Sequence, residues 1–567
     1  DNLRDGARGG HAARHHFPRD PDFILRLRLG PGRRGTHTLE IRLDRERVET
    51  FEVGGRNRGP FEVLLPVEAG TRLVSAAFVG DLTQSLAVDG RPARPPVTTF
   101  AYRLYPNMPM VGAIEVVGPF DGGVPAQTPT RQRIFSCYPR AAEEERPCAE
   151  EILRSLARQA YRRAVTGDDI EPLLASFDDG YREGGGFEEG IRWALEALLV
   201  SPKFLFRIEE DAPGGEPGAP YRVADLDLAS RLSFFLWSSL PDEELIALAG
   251  QGRLSDPAVL DGQVARMLDD PRSRAFIENF GGQWLYLRNL RTAAPDAQLF
   301  PDFDDNLREA LRRETELFFE DQLRNDRSVL EMLRADYTWV NERLARHYGM
   351  PNVYGNHFRR VPYADARRAG LLGHGSLLTV TSYPHRTSPV VRGKWLLENL
   401  LGAPPPPPPP DVPGFPESGE DGRPATVRER LEAHRENPVC ASCHAPMDPL
   451  GFALENFNAV GQWREIDSEA DAPIESYGTL PNGTEFGGIA EFRAALLEEP
   501  WAGQYVANLA SKMLTYAIGR GVEYYDRPAV RRIVREAQAS GYTWSSIIRG
   551  VIRSDPFQMR MPAEESR

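Results

Sequence analysis

The stretch "CAEEILRSLARQAYRRAV", residues 148–165, sets Ile152, Leu153, Leu156, Ala157, Ala160 and Tyr161 at three- and four-residue spacing. That is the period of a helix with one apolar face. It recurs in "GFEEGIRWALEALLVSP" (186–202), "LDLASRLSFFLWSSL" (226–240), "NLREALRRETELFFEDQLRN" (306–325) and "YVANLASKMLTYAIGRG" (505–521). N-terminal to residue 120 the period is two instead. "FILRLRLG" (23–30), "HTLEIRLD" (37–44), "VETFEVGG" (48–55), "FEVLLPVEAG" (61–70) and "TRLVSAAFVG" (71–80) alternate apolar and polar residues between Gly, Pro and Asp. Such runs bury one face of a sheet.

The expected fold is therefore multidomain: an N-terminal β-sandwich of jelly-roll type, then a mostly α-helical body. The segmentation read from these patterns is a sandwich at 1–120, a disulfide-stapled linker and helical domain at 121–215, and a helical domain at 216–365. A domain that carries the proline run and the second cysteine pair follows at 366–475, and a C-terminal helical domain packing on it at 476–567. Phe234, Phe235, Trp237, Trp284, Tyr286, Phe318 and Phe319 lie at helical spacing and read as core. Asp302, Asp304 and Asp305 precede a helix without the Gly and later Glu of a calcium loop, so helix capping accounts for them. Pro404 to Pro410 form an unbroken proline run, expected as an extended strap.

A chain of 567 residues is long enough for several cores. Its net charge of −14 disfavours nucleic acid, which needs a basic face, and suits a basic protein partner. No apolar run approaches the ~18 residues of a membrane helix; even "WALEALLVSPKFLF" (193–206) is interrupted by Glu196 and Lys203. The sequence starts at Asp1 without Met, so an export signal is expected outside it. Four cysteines fall into two pairs. Cys137 and Cys148 close a small Pro- and Glu-rich loop and are expected to form a disulfide stapling two domains, which implies an extracytoplasmic protein: periplasmic, surface-exposed or secreted.

The other pair lies in "NPVCASCHAPMDPLGFALENFNAVGQWRE", residues 437–465. Cys-x-x-Cys-His suits one covalent haem c: a helical turn sets the thiols of Cys440 and Cys443 beneath two vinyl groups, and His444 then points at the iron. Zinc, with His434 as a further ligand to Cys440, Cys443 and His444, is an alternative, and a redox dithiol is another. For the sixth haem position Met447 lies on the same side as His444 and reads as packing. Met513, His385 and His374 are the other candidates, with Met513 preferred. Arg386, Arg392 and Arg520 are candidate partners of the haem propionates.

Four strings, "GLLGHGSLLTVTSYPHRTSPVVRGKWLLENLLGAPPPPPPPDVP" (370–413), "CASCHAPMDPLGFALENFNAVGQWR" (440–464), "SKMLTYAIGRGVEYYDRPAVRRIV" (511–534) and "ADYTWVNERLARHYGMP" (335–351), carry a resemblance. They resemble the planctomycete-type cytochrome c-like proteins, exported chains built from a series of domains of unknown function. "RGGHAARHHFPRDPDFILRLRLG" (8–30) is similar to the sandwich of that family, where a further c-type cytochrome domain and a helical domain precede it. The resemblance implies covalent haem at Cys440 and Cys443 with His444 as proximal ligand, which makes the stretch 366–475 a cytochrome c-like haem domain within the α-helical body. It also implies Leu at the place of Met513 and Ile at that of Met447 in relatives, which leaves Tyr516, a ligand particular to this chain, or water for the sixth position. Electron transfer to a redox partner protein or another haem domain is the first functional expectation. A haem-dependent oxidase or peroxidase acting on a polymer is the second. A non-redox carbohydrate-binding or surface-assembly protein, using the sandwich, is the third.

Overall fold

The computed structural model describes residues 8–17, 22–30, 36–44, 46–54, 60–79, 111–120, 129–209, 218–407, 426–467 and 470–561. The N-terminal strands are β1 (Arg8–Phe17), β2 (Asp22–Leu29), β3 (His37–Leu43), β4 (Glu46–Val53), β5 (Phe61–Pro66), β6 (Gly70–Val79) and β7 (Val111–Phe120). They pair antiparallel into two sheets, ordered β1-β6-β3-β4 and β5-β2-β7. Alternation explains the arrangement. In β2, Phe23, Leu25 and Leu27 are buried, while Arg26 and Arg28, which alternate with them, pair with Glu62 and Glu115. The inward residues meet Phe17, Leu39, Ile41, Phe61, Val74 and Phe78 in one apolar core drawn from both sheets.

The rest of the chain is mostly helical. Helices α1 (Ala142–Tyr161), α2 (Gly167–Gly184) and α3 (Phe187–Val200) share a core in which Ile152, Leu153 and Ala157 meet Leu173, Phe177, Ile191 and Leu198. The Cys137–Cys148 disulfide joins the approach to α1 with its second turn, and both cysteines pack on this same core. The expectation of a staple between two domains is thus corrected: the bridge lies within one helical unit, because Cys148 is already part of α1.

A second and larger core runs from Val223 to Phe557. It takes residues from α4 (Asp225–Trp237), α5 (Asp305–Arg324), α6 (Pro389–Trp395), α7 (Val427–Arg435), α8 (Pro438–Phe452) and α9 (Trp501–Ile518), or packs beside them. The stretches 216–365, 366–475 and 476–567 therefore contribute to one continuous apolar interior. Phe235, Trp237, Trp284, Phe318 and Phe319 lie in it, as their helical spacing predicts; Phe234, by contrast, is only half-buried with the Arg207 guanidinium over its ring, and Tyr286 is exposed, so the core reading of these two is corrected. Asp304 caps α5, its Oδ1 accepting from Leu307 N–H at 2.7 Å. No helix among the described residues is long and apolar enough to cross a membrane.

Two glycines fix how α8 lies on α6. A Cβ on Gly393 would stand 2.0 Å from the carbonyl oxygen of Met447, and one on Gly451 would stand 1.9 Å from that of Pro389. Each helix thus presents a glycine to the other's backbone, and no side chain fits between them. The turn after α8 is held by Arg392 of α6, whose guanidinium donates to the carbonyls of Leu454 (2.7 Å), Phe457 (2.8 Å) and Asn458 (3.0 Å). Arg392 is fully buried, and burial pulls its pKa down to about 10 despite Glu455 at 3.8 Å.

Candidate functional site

Helix α8 starts where its sequence predicts. Asn437 caps it by accepting from Val439 N–H at 2.9 Å, and Pro438 occupies the first turn, where its missing N–H costs nothing. Cys440 and Cys443 follow, one helical turn apart, half-buried and free as thiols. Cys443 opens into a cleft of about 400 Å³, within the range of ~300–1,000 Å³ typical of small-molecule sites. Its walls are Leu397 and Leu401 from the π-helical turn Leu396–Leu401, Pro404 to Pro406 from the start of the proline run, Pro446, and Trp501 and Gln504 of α9. The proline run thus serves as a wall as far as it is described; residues 408–425 lie outside the described residues. Trp501 is buried, and its Nε1–H has no hydrogen-bond partner.

His444 sits beside the cleft with one nitrogen committed. Its Nδ1 is 2.9 Å from Oδ1 of Asp448, one helical turn on and fully buried. Burial pushes the Asp448 carboxyl up, against the opposing pull of His444 and of Arg435, whose Nε lies 3.9 Å from Oδ2. The ring of His434, on α7, stands edge-on to that of His444 at 4.9 Å between centroids. Burial and the neighbouring His444 both push the His434 pKa down. Sequence reasoning missed Asp448. The signal was present as His-x-x-x-Asp, because residues four apart share a helix face.

The residues fit covalent haem by their chemistry: two thiols one turn apart, an apolar cleft against the second, and an imidazole whose Nδ1 is engaged so that Nε2 is left for a metal. The competing readings find less support. Among the described residues no three His, Cys, Asp or Glu side chains gather as a metal site. What precedes Cys440 is helix α7 rather than the strand of a redox βα unit.

The other predicted site residues are not brought to this cleft. Arg392 holds backbone carbonyls in the interior, as described above. Arg386 lies over the Tyr383 ring and donates to the Thr387 carbonyl at 3.2 Å. Arg520 is paired with Asp526 at 2.6 Å, in a different cleft beside Arg231 and Arg560. Met513 is fully buried in the large core, and Gln504 is the last α9 residue on the cleft wall. Nine residues of helix put ~13 Å between them. Met447 packs on Gly393. His385 is exposed and stacked on Tyr383. His374 is buried against Phe318, its Nδ1 3.0 Å from Thr315 Oγ1 and its pKa pushed down to about 3. Tyr516 lies among Phe235, Phe276 and Phe280, with its hydroxyl 3.1 Å from Ser238 Oγ.

Four family models match the chain in series, each described as a protein of unknown function: DUF1595 at residues 148–209, DUF1592 at 223–350, DUF1588 at 368–467 and DUF1585 at 482–557. The model at 368–467 spans α6, α7 and α8, and so contains Cys440, Cys443, His444 and Asp448. The chain matches no curated protein and no solved structure. The four domain matches, in this order along one chain, support the planctomycete-type cytochrome c-like proteins as its family.

Proposed function

We propose that this chain is a monohaem c-type cytochrome that transfers electrons outside the cytoplasm. The observation that carries the reading is the contrast between the two cysteine pairs. Cys137 and Cys148 are bridged, whereas Cys440 and Cys443 are free thiols in the first two turns of α8, with Cys443 open to an apolar cleft. A disulfide persists in an oxidising compartment, where an adjacent pair of accessible thiols needs another covalent fate. Addition of each S–H across one vinyl group supplies it, with no atom lost.

In this reading Cys440 and Cys443 tether the ring, His444 offers Nε2 to the iron, and Leu397, Leu401 and the prolines exclude water from one face. Bound haem supplies a one-electron couple. An electron accepted from a donor protein is passed on, one for one, to an acceptor. The second reading, a haem oxidase or peroxidase, rests on a separate observation: Met513, His374 and His385, the side chains named for the sixth position, are each engaged elsewhere, in the large core, on Thr315 and on the Tyr383 ring. A position open to water or peroxide favours catalysis over simple carriage.

The test is a pyridine haemochrome assay on protein matured in a host that attaches haem c. A c-type α-band in the parent chain and its loss in Cys440→Ala/Cys443→Ala is the expected result. Stoichiometric covalent haem in the double variant would refute the site. Ligand binding to the ferrous protein, with carbon monoxide as probe, then separates an open position from a filled one.

A further inference from the structure

We infer that Asp448 is the positioning residue of this site: it holds His444 as the Nδ1–H tautomer with Nε2 outward, and so gives any haem bound there a low reduction potential. The inference rests on the haem reading above and deepens it.

Three observations carry it. Asp448 is fully buried, so its Oδ1 meets His444 Nδ1 at 2.9 Å in a setting where water does not compete for the bond. Both residues lie on one helix four apart, which fixes their relation through backbone geometry rather than through a loop. The second oxygen, Oδ2, makes no hydrogen bond; Arg435 Nε stands 3.9 Å from it, beyond hydrogen-bond reach. The carboxylate's capacity as an acceptor is therefore directed at one imidazole.

A carboxylate that accepts from Nδ1–H does two things. It makes Nε2 the lone-pair nitrogen, since the proton of a neutral imidazole sits where the hydrogen bond is. It also raises the basicity of Nε2 and would set negative charge on the far side of the imidazole from a bound metal, which favours the more positively charged, oxidised state. The guanidinium of Arg435 works in the opposite direction by drawing on the same carboxylate. The pair thus predicts opposed effects from two substitutions, which loss of structure alone would not produce.

The test uses the full chain. In holoprotein, a spectroscopic redox titration of Asp448→Asn is expected to show a higher potential by at least the 59 mV that corresponds to a tenfold change in the oxidised-to-reduced ratio for one electron. Arg435→Gln, a partly exposed residue outside α8, is expected to move the potential the other way. In unloaded protein carrying 15N-labelled histidine, the His444 signal, assigned by its loss in His444→Gln, is expected to show a protonated Nδ1. Parent protein without covalent haem overturns both the haem reading and this inference. Parent protein with haem, together with an unmoved potential in both variants, overturns this inference alone, as does a His444 imidazole protonated at Nε2. Should Asp448→Asn fail to fold, Arg435→Gln and the nitrogen spectrum decide.

Discussion

Glu314 lies on α5 with no exposed surface, and its two carboxyl oxygens accept from Thr338 Oγ1 at 2.6 Å and Tyr348 Oη at 2.5 Å. Around it stand the half-buried Tyr363, whose hydroxyl is enclosed, and the guanidinium of Arg368, which lies 3.9 Å over the Tyr348 ring. Burial dominates over these partners and pushes the carboxyl from its ordinary 4.5 up to about 7. The folded chain therefore holds this proton more tightly than the unfolded chain, and ionisation opposes folding. Full stability is present below about pH 4.5, is lost as pH rises through about 7, and stays lost above it. At 1.36 kcal/mol per pH decade the loss is about 3 kcal/mol. Glu314→Gln resembles the protonated acid and does not ionise. Its stability relative to the parent is expected to be about 3 kcal/mol better at pH 8 than at pH 4.5, whatever the absolute cost of the substitution. Urea unfolding at the two pH values, followed by tryptophan fluorescence, measures this. A difference between variant and parent that is the same at both pH values would refute the reasoning, because it would mean Glu314 titrates as an ordinary carboxyl.

Two further outcomes follow from packing and covalent structure. Replacing Cys137 and Cys148 by Ser opens an 11-residue separation and should cost about 3 kcal/mol by loop entropy. Differential scanning calorimetry that finds no early transition in the variant would show that the apolar core of α1, α2 and α3 suffices alone. Gly451→Ala drives a methyl into the backbone of Pro389, so a loss of ~1–3 kcal/mol or more is expected as α6 and α8 are forced apart. Haem content should fall with it, and a Gly451→Ala variant with parental melting temperature and haem loading would contradict the close helix contact.

The sandwich and the helices were legible because burial in each follows a strict period. In β2 every second residue faces the core, and in α1 the residues at three- and four-residue spacing do. The Cys-x-x-Cys-His motif stands out in the sequence as a candidate haem site because its spacing needs no tertiary information, and α8 sets its two thiols one helical turn apart. The arginines were not. Arg392 and Arg520 lie in segments expected to fold around the motif, and guanidinium suits the carboxylates of haem propionates. One instead satisfies three carbonyls at the end of α8, and the other a single aspartate. Orphan carbonyls at a helix end and an anionic ligand attract Arg by the same physics, so residue type alone does not separate them. The segment boundaries had a similar limit, since periodicity marks where helices start but not whether their apolar faces meet in one core or three.

The placement of α8 explains why a short motif has so much structure around it. Its N-terminal half carries the thiols and the cleft, and its C-terminal half is held by Gly451 against α6 and, through the turn that follows, by Arg392. His444 and Asp448 stand between these halves. A shift of α8 along α6 would bring a Cβ against Gly393 or Gly451 and strip Arg392 of its acceptors, so the imidazole cannot move without breaking contacts in a core that runs from Val223 to Phe557. A carrier that exchanges one electron at a time gains from such fixity, because an unmoved ligand set adds little reorganisation to each transfer. The same fixity would hold an open position open. The rigid half of the site is therefore common to both functional readings, and what separates them lies on the opposite wall, where Trp501, Gln504 and the prolines face Cys443.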